Sequence, residues 1–429
     1  MKNKLFYLYY IVLLIILVSR TNQDTPPIFL LRIVFLAAVV IPPMLSKFTN
    51  WLPVILTCFL TITSYGFAYS YMPTMMYIYA GIMLLFSIFI SQKKNKHIPI
   101  PKILVVILIY MFIVDIITGT RIENVLYVIF IVTIFCIFID KKDSFIVNKF
   151  SLAFAISSLV LSIFFIVNRD LFTVTYNYVQ GMERSGWTDP NYFGTILGIG
   201  AVSSIIELIR NKKNSLIVRI IFIASIALSL PTIFISASRG AVLALIVSFV
   251  IILMFSQIKA KYKLFIVLIA VIFTFYLYNN SYFDLLIYRI ENDDGGGSGR
   301  SEIWQNKLDF YLNRGNIMNW LIGFGNYGGL KIGLNETVGF HNDYLAFLVE
   351  YGLIGLILFL YMLAYPVLKM YKKSKERPFV WASLIYLALC CITLEPLSAA
   401  TGRFTYWAFY MYIVLLAHSS NFSEKEIKL

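Results

Sequence analysis

The chain comprises 429 residues, 59% of them hydrophobic and 14% charged, with a mean hydropathy of +0.79. Those proportions exclude a soluble globular domain and point to a polytopic membrane protein. The formal charge of +14 is dispersed over separate short polar segments, a distribution that does not make a nucleic-acid-binding face.

About fourteen apolar runs are long enough, with their flanks, to cross the hydrocarbon core as helices. They begin near Leu5, Ile28, Trp51, Thr74, Ile103, Asn124, Phe145, Asn191, Leu216, Ala241, Leu264, His341, Phe379 and Arg403. The runs are continuous rather than alternating, which excludes a closed barrel. The expected fold is therefore an all-α transmembrane bundle, with residues 1–429 forming a single integral membrane domain. The first run follows Met1-Lys2-Asn3-Lys4 and leads into Ser19-Arg20-Thr21-Asn22 without a small-residue cleavage site, so it reads as a retained helix. Lysines concentrate at 92–97, 140–143, 210–214, 259–263, 369–377 and after His418, at every second loop, which places both termini in the cytoplasm. Cys58, Cys136, Cys390 and Cys391 lie within apolar runs and indicate neither a disulfide framework nor a thiolate metal site.

The opposite face has two longer segments, 168–190 and 280–340. The second is the expected extracytoplasmic loop subdomain. It reads as short helices anchored by Ile303-Trp304 and Phe310-Tyr311 and broken at Gly295, Gly296, Gly297, Gly299, Gly323, Gly325, Gly328 and Gly329. Its aromatic content argues against a disordered linker. Outward positions favour arginine, with Arg20, Arg121, Arg169, Arg184, Arg239, Arg289, Arg300, Arg314 and Arg403 against Lys307 and Lys331. The planar guanidinium binds phosphate oxygens two at a time and stays charged, so this face suits a phosphorylated ligand.

Four places carry candidate chemistry. Arg184 and Trp187 precede Asp189-Pro190-Asn191, where Asn191 can cap the next helix but leaves the arginine and tryptophan free to meet a ligand. Arg239 lies in Ser236-Ala237-Ser238-Arg239-Gly240, at the mouth of an apolar run; either serine can cap that helix, and free amides plus a guanidinium make an anion site. Snorkelling to the interface is the alternative for Arg239. Arg300 follows Asp293-Asp294-Gly295-Gly296-Gly297-Ser298-Gly299, which lacks the lysine-serine ending of a phosphate loop and reads as a connection placing Arg300 and Trp304 over a groove. Two adjacent aspartates without other ligands do not indicate a metal.

The fourth is His341, the only one of three histidines on the outward face. At about 100° per residue, Tyr344, Leu345, Leu348, Gly352 and Gly355 share its face, and the two glycines would let that face pack closely on a neighbour. A helix N-terminus disfavours the protonated ring, which leaves a neutral imidazole suited to act as a general base.

These residues resemble the O-antigen polymerase and O-antigen ligase superfamily of bacterial surface-polysaccharide assembly. His341-Asn342, nine intervening residues, Gly352, two more and Gly355 agree with the ligase family's histidine motif. Arg239 with Leu243 matches its arginine motif, while Ser298-Gly299-Arg300, Ile303-Trp304 and Gly323-Phe324-Gly325 are similar to its long periplasmic loop. The resemblance implies a glycosyltransferase of the bacterial cytoplasmic membrane with an outward-facing site. It would use undecaprenyl-diphosphate-linked oligosaccharide as donor, with no cofactor, no metal and no nucleotide sugar, among membrane lipid and with a chain-length regulator protein as partner. The expected catalytic residues are His341 as base with Arg239 and Arg300 as diphosphate clamps. The expected substrate contacts are Arg184, Trp187, Asn342, Trp304 and Tyr344. Repeat-unit polymerisation, for lipopolysaccharide or capsule, is the favoured activity; ligation to a lipid A core shares the same motifs. A lipid-linked oligosaccharide flippase is the alternative of another class, although no internal repeat is evident and polar residues cluster in the loops.

Overall fold

The computed structural model describes residues 101–120, a few positions within 122–129, 146–167, 173–175, 183–185, 190–211, 214–291, 299–326, 339–370, 374–398 and 404–422. Twelve helices and one pair of short strands occur among them. In chain order they are α1 (Lys102–Thr118), α2 (Ile146–Val167), β1 (Thr173–Thr175), β2 (Glu183–Ser185), α3 (Pro190–Arg210), α4 (Leu216–Ile235), α5 (Arg239–Phe255), α6 (Ala260–Asn279), α7 (Asp284–Glu291), α8 (Arg300–Arg314), α9 (Ile317–Ile322), α10 (Asp343–Lys369), α11 (Arg377–Thr393) and α12 (Phe404–Phe422).

The fold is that of a helical membrane protein. Among the described residues α2, α3, α4, α6 and α10 are long and apolar enough to cross a membrane, and α5 and α11 are shorter apolar helices. Helix starts follow the apolar runs closely. The largest departure is α6, expected near Leu264 but beginning at Ala260 within the lysine segment, because lysine stems can lie along an apolar helix while their ammonium groups reach water. The runs near Leu5, Ile28, Trp51, Thr74 and Asn124 lie outside the described residues. The segment 168–190 adds an element that hydropathy does not reveal: β1 and β2 pair antiparallel, with Val174 opposite Arg184.

The described residues divide into two compact units, one drawn from 146–245 and 257–286, the other from 101–129, 246–256 and 287–422. In the first, α2, α3 and α4 pack mutually along a seam of small polar residues. Ser158 Oγ lies 2.8 Å from Ser225 Oγ, and Ser204 Oγ donates to Ser225 Oγ at 3.4 Å. Gly200 has no room for a side chain, because a Cβ there would collide with Ser158. Small residues admit close backbone approach, and paired hydroxyls satisfy one another away from water. At the end of the seam Asn148 donates to Glu207 (2.9 Å) and Asn214 (2.8 Å), and Arg210 bridges Glu207 at 3.1 Å.

The second unit is organised around α10, against which α1, α8, α9, α11 and α12 all pack. Tyr410 on α12 donates to Met362 O at 2.7 Å, and Ser248, in the second half of α5, donates to Ala382 O on α11 at 3.0 Å. Phe310 and Tyr311 of α8, expected as apolar anchors, are buried with Phe324 and Val349. The Tyr311 hydroxyl donates to Trp320 O, and burial raises its phenol above the ordinary value.

Candidate active site

The site is built on a break in α10. Gly352 has φ 69° and ψ −171°, outside the helical region, so the carbonyls just before it lose their intrahelical donors. Each finds another. Val349 O accepts from Phe324 N (3.1 Å), Glu350 O from Gly325 N (2.7 Å), and Tyr351 O from the Tyr110 hydroxyl of α1 (2.8 Å). The backbones approach so closely that a Cβ on Gly323 would collide with Glu350 O, and one on Gly352 with Leu321 O. Gly323, Gly325 and Gly352 all have positive φ, so only glycine suits both the angle and the space. Gly325 seats against Thr118 and Thr120 at the end of α1, where buried Asp115 accepts from Asn326 N at 2.8 Å and from Thr120 Oγ1 at 3.0 Å. Gly323-Phe324-Gly325 and Gly352, read apart in the sequence, form one joint.

His341 stands at the head of α10 but is not part of it. The helix starts at Asp343, Asn342 is its N-cap accepting from Leu345 N at 3.1 Å, and His341 lies one residue earlier with φ 50°. The expected helical face running from His341 to Gly355 is therefore corrected twice: the histidine is off the helix, and Gly352 interrupts it. The imidazole is instead placed by its loop. The His341 N–H donates to Glu395 Oε1, the Trp304 indole donates to Phe340 O at 2.8 Å, and Lys307 Nζ lies 5.4 Å from the centre of the Phe340 ring. Asp343, fully buried, accepts from Leu397 N (2.9 Å) and Ser398 N (2.8 Å), while its own N–H donates to Leu394 O (3.1 Å).

The remaining expected residues fall in several places. Arg300 opens α8 after Gly299, whose φ of 78° turns the chain into the helix. Arg300, Trp304, Lys307 and Tyr311 follow one another at helical spacing and share a face, so Arg300 belongs to the same unit and the same stripe as the residues that hold Phe340. The Trp304 indole donates to Phe340 O, Asn342 Oδ1 caps the first turn of α10, and the Tyr344 hydroxyl donates to Ala388 O at 3.2 Å. Arg239 belongs to the first unit, as the first residue of α5, half-buried behind a buried Ser236-Ala237-Ser238 turn in which Ala237 has φ 49°. Ser238 Oγ accepts from Ala241 N at 3.4 Å, whereas Ser236 donates back to Ile233 O at 2.7 Å, so Ser238 is the serine at the helix start. The turn lies against Gly194 of α3, where a Cβ would come within 2.9 Å of Ser236 Oγ. Arg184 lies on β2. Trp187, Asp293, Asp294, Gly295, Gly296, Gly297, Gly328, Gly329, Lys331 and Arg403 lie outside the described residues. Among the described residues there is no group of three or more His, Cys, Asp or Glu placed to hold a metal.

Glu395, Asp343 and Lys307 are the contributors that sequence reasoning passed over. Glu395 carries a signal in retrospect: it is an acid just past the apolar run of α11, on the loop that lysine parity assigns to the same side as His341.

Residues 224–360 match the protein-family model described as O-antigen ligase. That stretch contains Arg239, Arg300, the Gly323-Phe324-Gly325 joint, His341 and Gly352, so this part of the chain is similar to the O-antigen ligase family. The family is one of membrane enzymes of the glycosyltransferase kind acting on lipid-linked polysaccharide. No curated protein matches the chain.

Proposed function

We propose that this chain is a metal-independent polysaccharide polymerase, of the O-antigen or capsule type, acting as one membrane domain at the outer face of the bacterial cytoplasmic membrane. It moves a growing glycan from undecaprenyl diphosphate onto the terminal sugar of a new lipid-linked repeat unit. The observation that supports this reading best is His341, which lies inside the stretch that the family model covers and whose left-handed backbone segment is held by Trp304 of α8 and by Glu395 of the α11–α12 loop.

In the step, the acceptor hydroxyl oxygen forms a bond to the anomeric carbon of the donor. The bond from that carbon to the diphosphate oxygen breaks, undecaprenyl diphosphate leaves, and the hydroxyl proton passes to His341. General-base assistance of this kind contributes about 10² to 10⁴ in rate. Arg239 and Arg300 offset the charge gathering on the departing diphosphate, a task for preorganised cations in a site that excludes water. Arg184 and Trp187 contribute weaker contacts from segment 168–190, and a chain-length regulator is the expected protein partner.

The test is gel analysis of surface glycan in a strain lacking the chain, complemented with wild type, His341→Ala or Arg239→Ala at matched membrane levels. Single repeat units in the deletion strain and both mutants support the polymerase. Full-length polymer retained on its lipid carrier in the deletion strain establishes ligation instead. Polymer restored by both mutants removes the catalytic reading and returns the flippase.

A further inference from the structure

The loop between α11 and α12 lies beyond the stretch matched by the family model, yet it holds the candidate base. Glu395 is 3% exposed, and its Oε1 accepts the main-chain N–H of His341. The same carboxylate lies against Gly339, where a Cβ would come within 2.6 Å of Oε1 and 3.3 Å of Oε2. Two residues past His341 the exchange runs the other way, with Asp343 accepting from Leu397 N and Ser398 N while its own N–H reaches Leu394 O. The histidine is thus bracketed by a buried carboxylate received from the neighbouring loop and another given to it. Its φ of 50° is one that a side-chain-bearing residue holds only when its surroundings enforce it.

We infer that Glu395 is the positioning residue for His341: by accepting that one main-chain N–H it sets where the imidazole stands relative to the acceptor hydroxyl. The inference rests on the reading of His341 as the base. Glu395 acts through the backbone, so an uncharged acceptor of the same length serves as well, and the effect falls on turnover rather than on affinity. Misplacing a catalytic group by about 1 Å can cost about 10²-fold in rate.

The experiment uses the full-length protein in membranes, with the lipid-linked repeat unit extracted from cells lacking the chain as probe. Glu395→Ala is expected to lower kcat by about 10- to 100-fold with KM within about twofold, and Glu395→Gln to stay within about threefold of wild type. Gly339→Ala, which pushes the carboxylate away without removing it, is expected to reproduce the loss and carries the test where Glu395→Ala fails to accumulate. Wild-type kcat in Glu395→Ala or, where that variant does not accumulate, in Gly339→Ala overturns the inference. So does a Glu395→Gln enzyme as slow as Glu395→Ala, because charge rather than placement would then be the requirement. An active His341→Ala enzyme removes the proposed function and this inference together, whereas an inactive His341→Ala beside an active Glu395→Ala removes only the role of Glu395.

Discussion

The α2–α4 group and the α10 joint meet the same constraint by opposite means. A hydrocarbon surrounding supplies no water, so every buried polar group, main-chain or side-chain, must be satisfied within the protein. Around Ser158, Ser204 and Ser225 the helices bring small hydroxyl side chains into register and pair them across the seam. At Gly352 the helix gives up its own bonding, and the freed carbonyls take main-chain donors from a loop and a tyrosine from another helix. The first arrangement tolerates exchange of individual hydroxyls, since each contributes little. The second depends on glycines at positive φ that nothing else can replace, and it lies in the unit that holds His341.

That contrast can be broken from either side. The largest effect is expected at the chemistry, where His341→Ala should lower polymerisation by about 10² to 10⁴ without loss of membrane insertion, read as glycan length against protein level. Arg300→Ala should follow with a loss of about 10² in turnover, measured on the extracted lipid-linked repeat unit. Gly352→Ala places a Cβ against Leu321 O at a left-handed position and should cost at least about 3 kcal/mol, seen as a lowered Tm of the detergent-solubilised protein. Gly200→Ala, at the serine seam, meets Ser158 and Phe154 O and should cost about 1 to 3 kcal/mol by the same measurement. Adding Ser158→Gly should recover part of that loss, whereas no nearby side-chain deletion should recover Gly352→Ala, whose obstacle is backbone. Ser225→Ala is expected to be smallest, about 0.6 kcal/mol, in keeping with single hydroxyl bonds between membrane helices. A Ser225→Ala loss as large as that of Gly352→Ala would erase the distinction.

Among the described residues, hydropathy alone located the long apolar helices well, because apolar length is a direct record of what a membrane requires. Residue spacing and the motif resemblance brought out His341, Gly352 and the Gly323-Phe324-Gly325 segment. The manner of their use was not legible. Helical spacing presumes an uninterrupted helix, and a single positive φ at Gly352 cancels that premise without altering the residue pattern. The partner of the glycine segment is main chain, which leaves no complementary side chain to notice. Glu395 escaped for a similar reason: it serves a backbone N–H 54 positions away, and no spacing rule connects the two. The β1–β2 pair is only three residues on each strand, too short for alternation to register.

The helix α6 has a plainer lesson. Leu277 is its one buried residue, so side chains around its whole circumference face outward. At about 1.5 Å per residue its 20 residues measure about 30 Å, the thickness of a hydrocarbon layer. Lys261, Tyr262 and Lys263 stand at one end and Tyr276 and Tyr278 at the other, the residue types that settle at membrane interfaces. Such a segment matches the layer in length: insertion or removal of a turn in α6 would be taken up by tilt or by local thickening or thinning of the bilayer, while exchange of one apolar residue for another along it would leave that match unchanged.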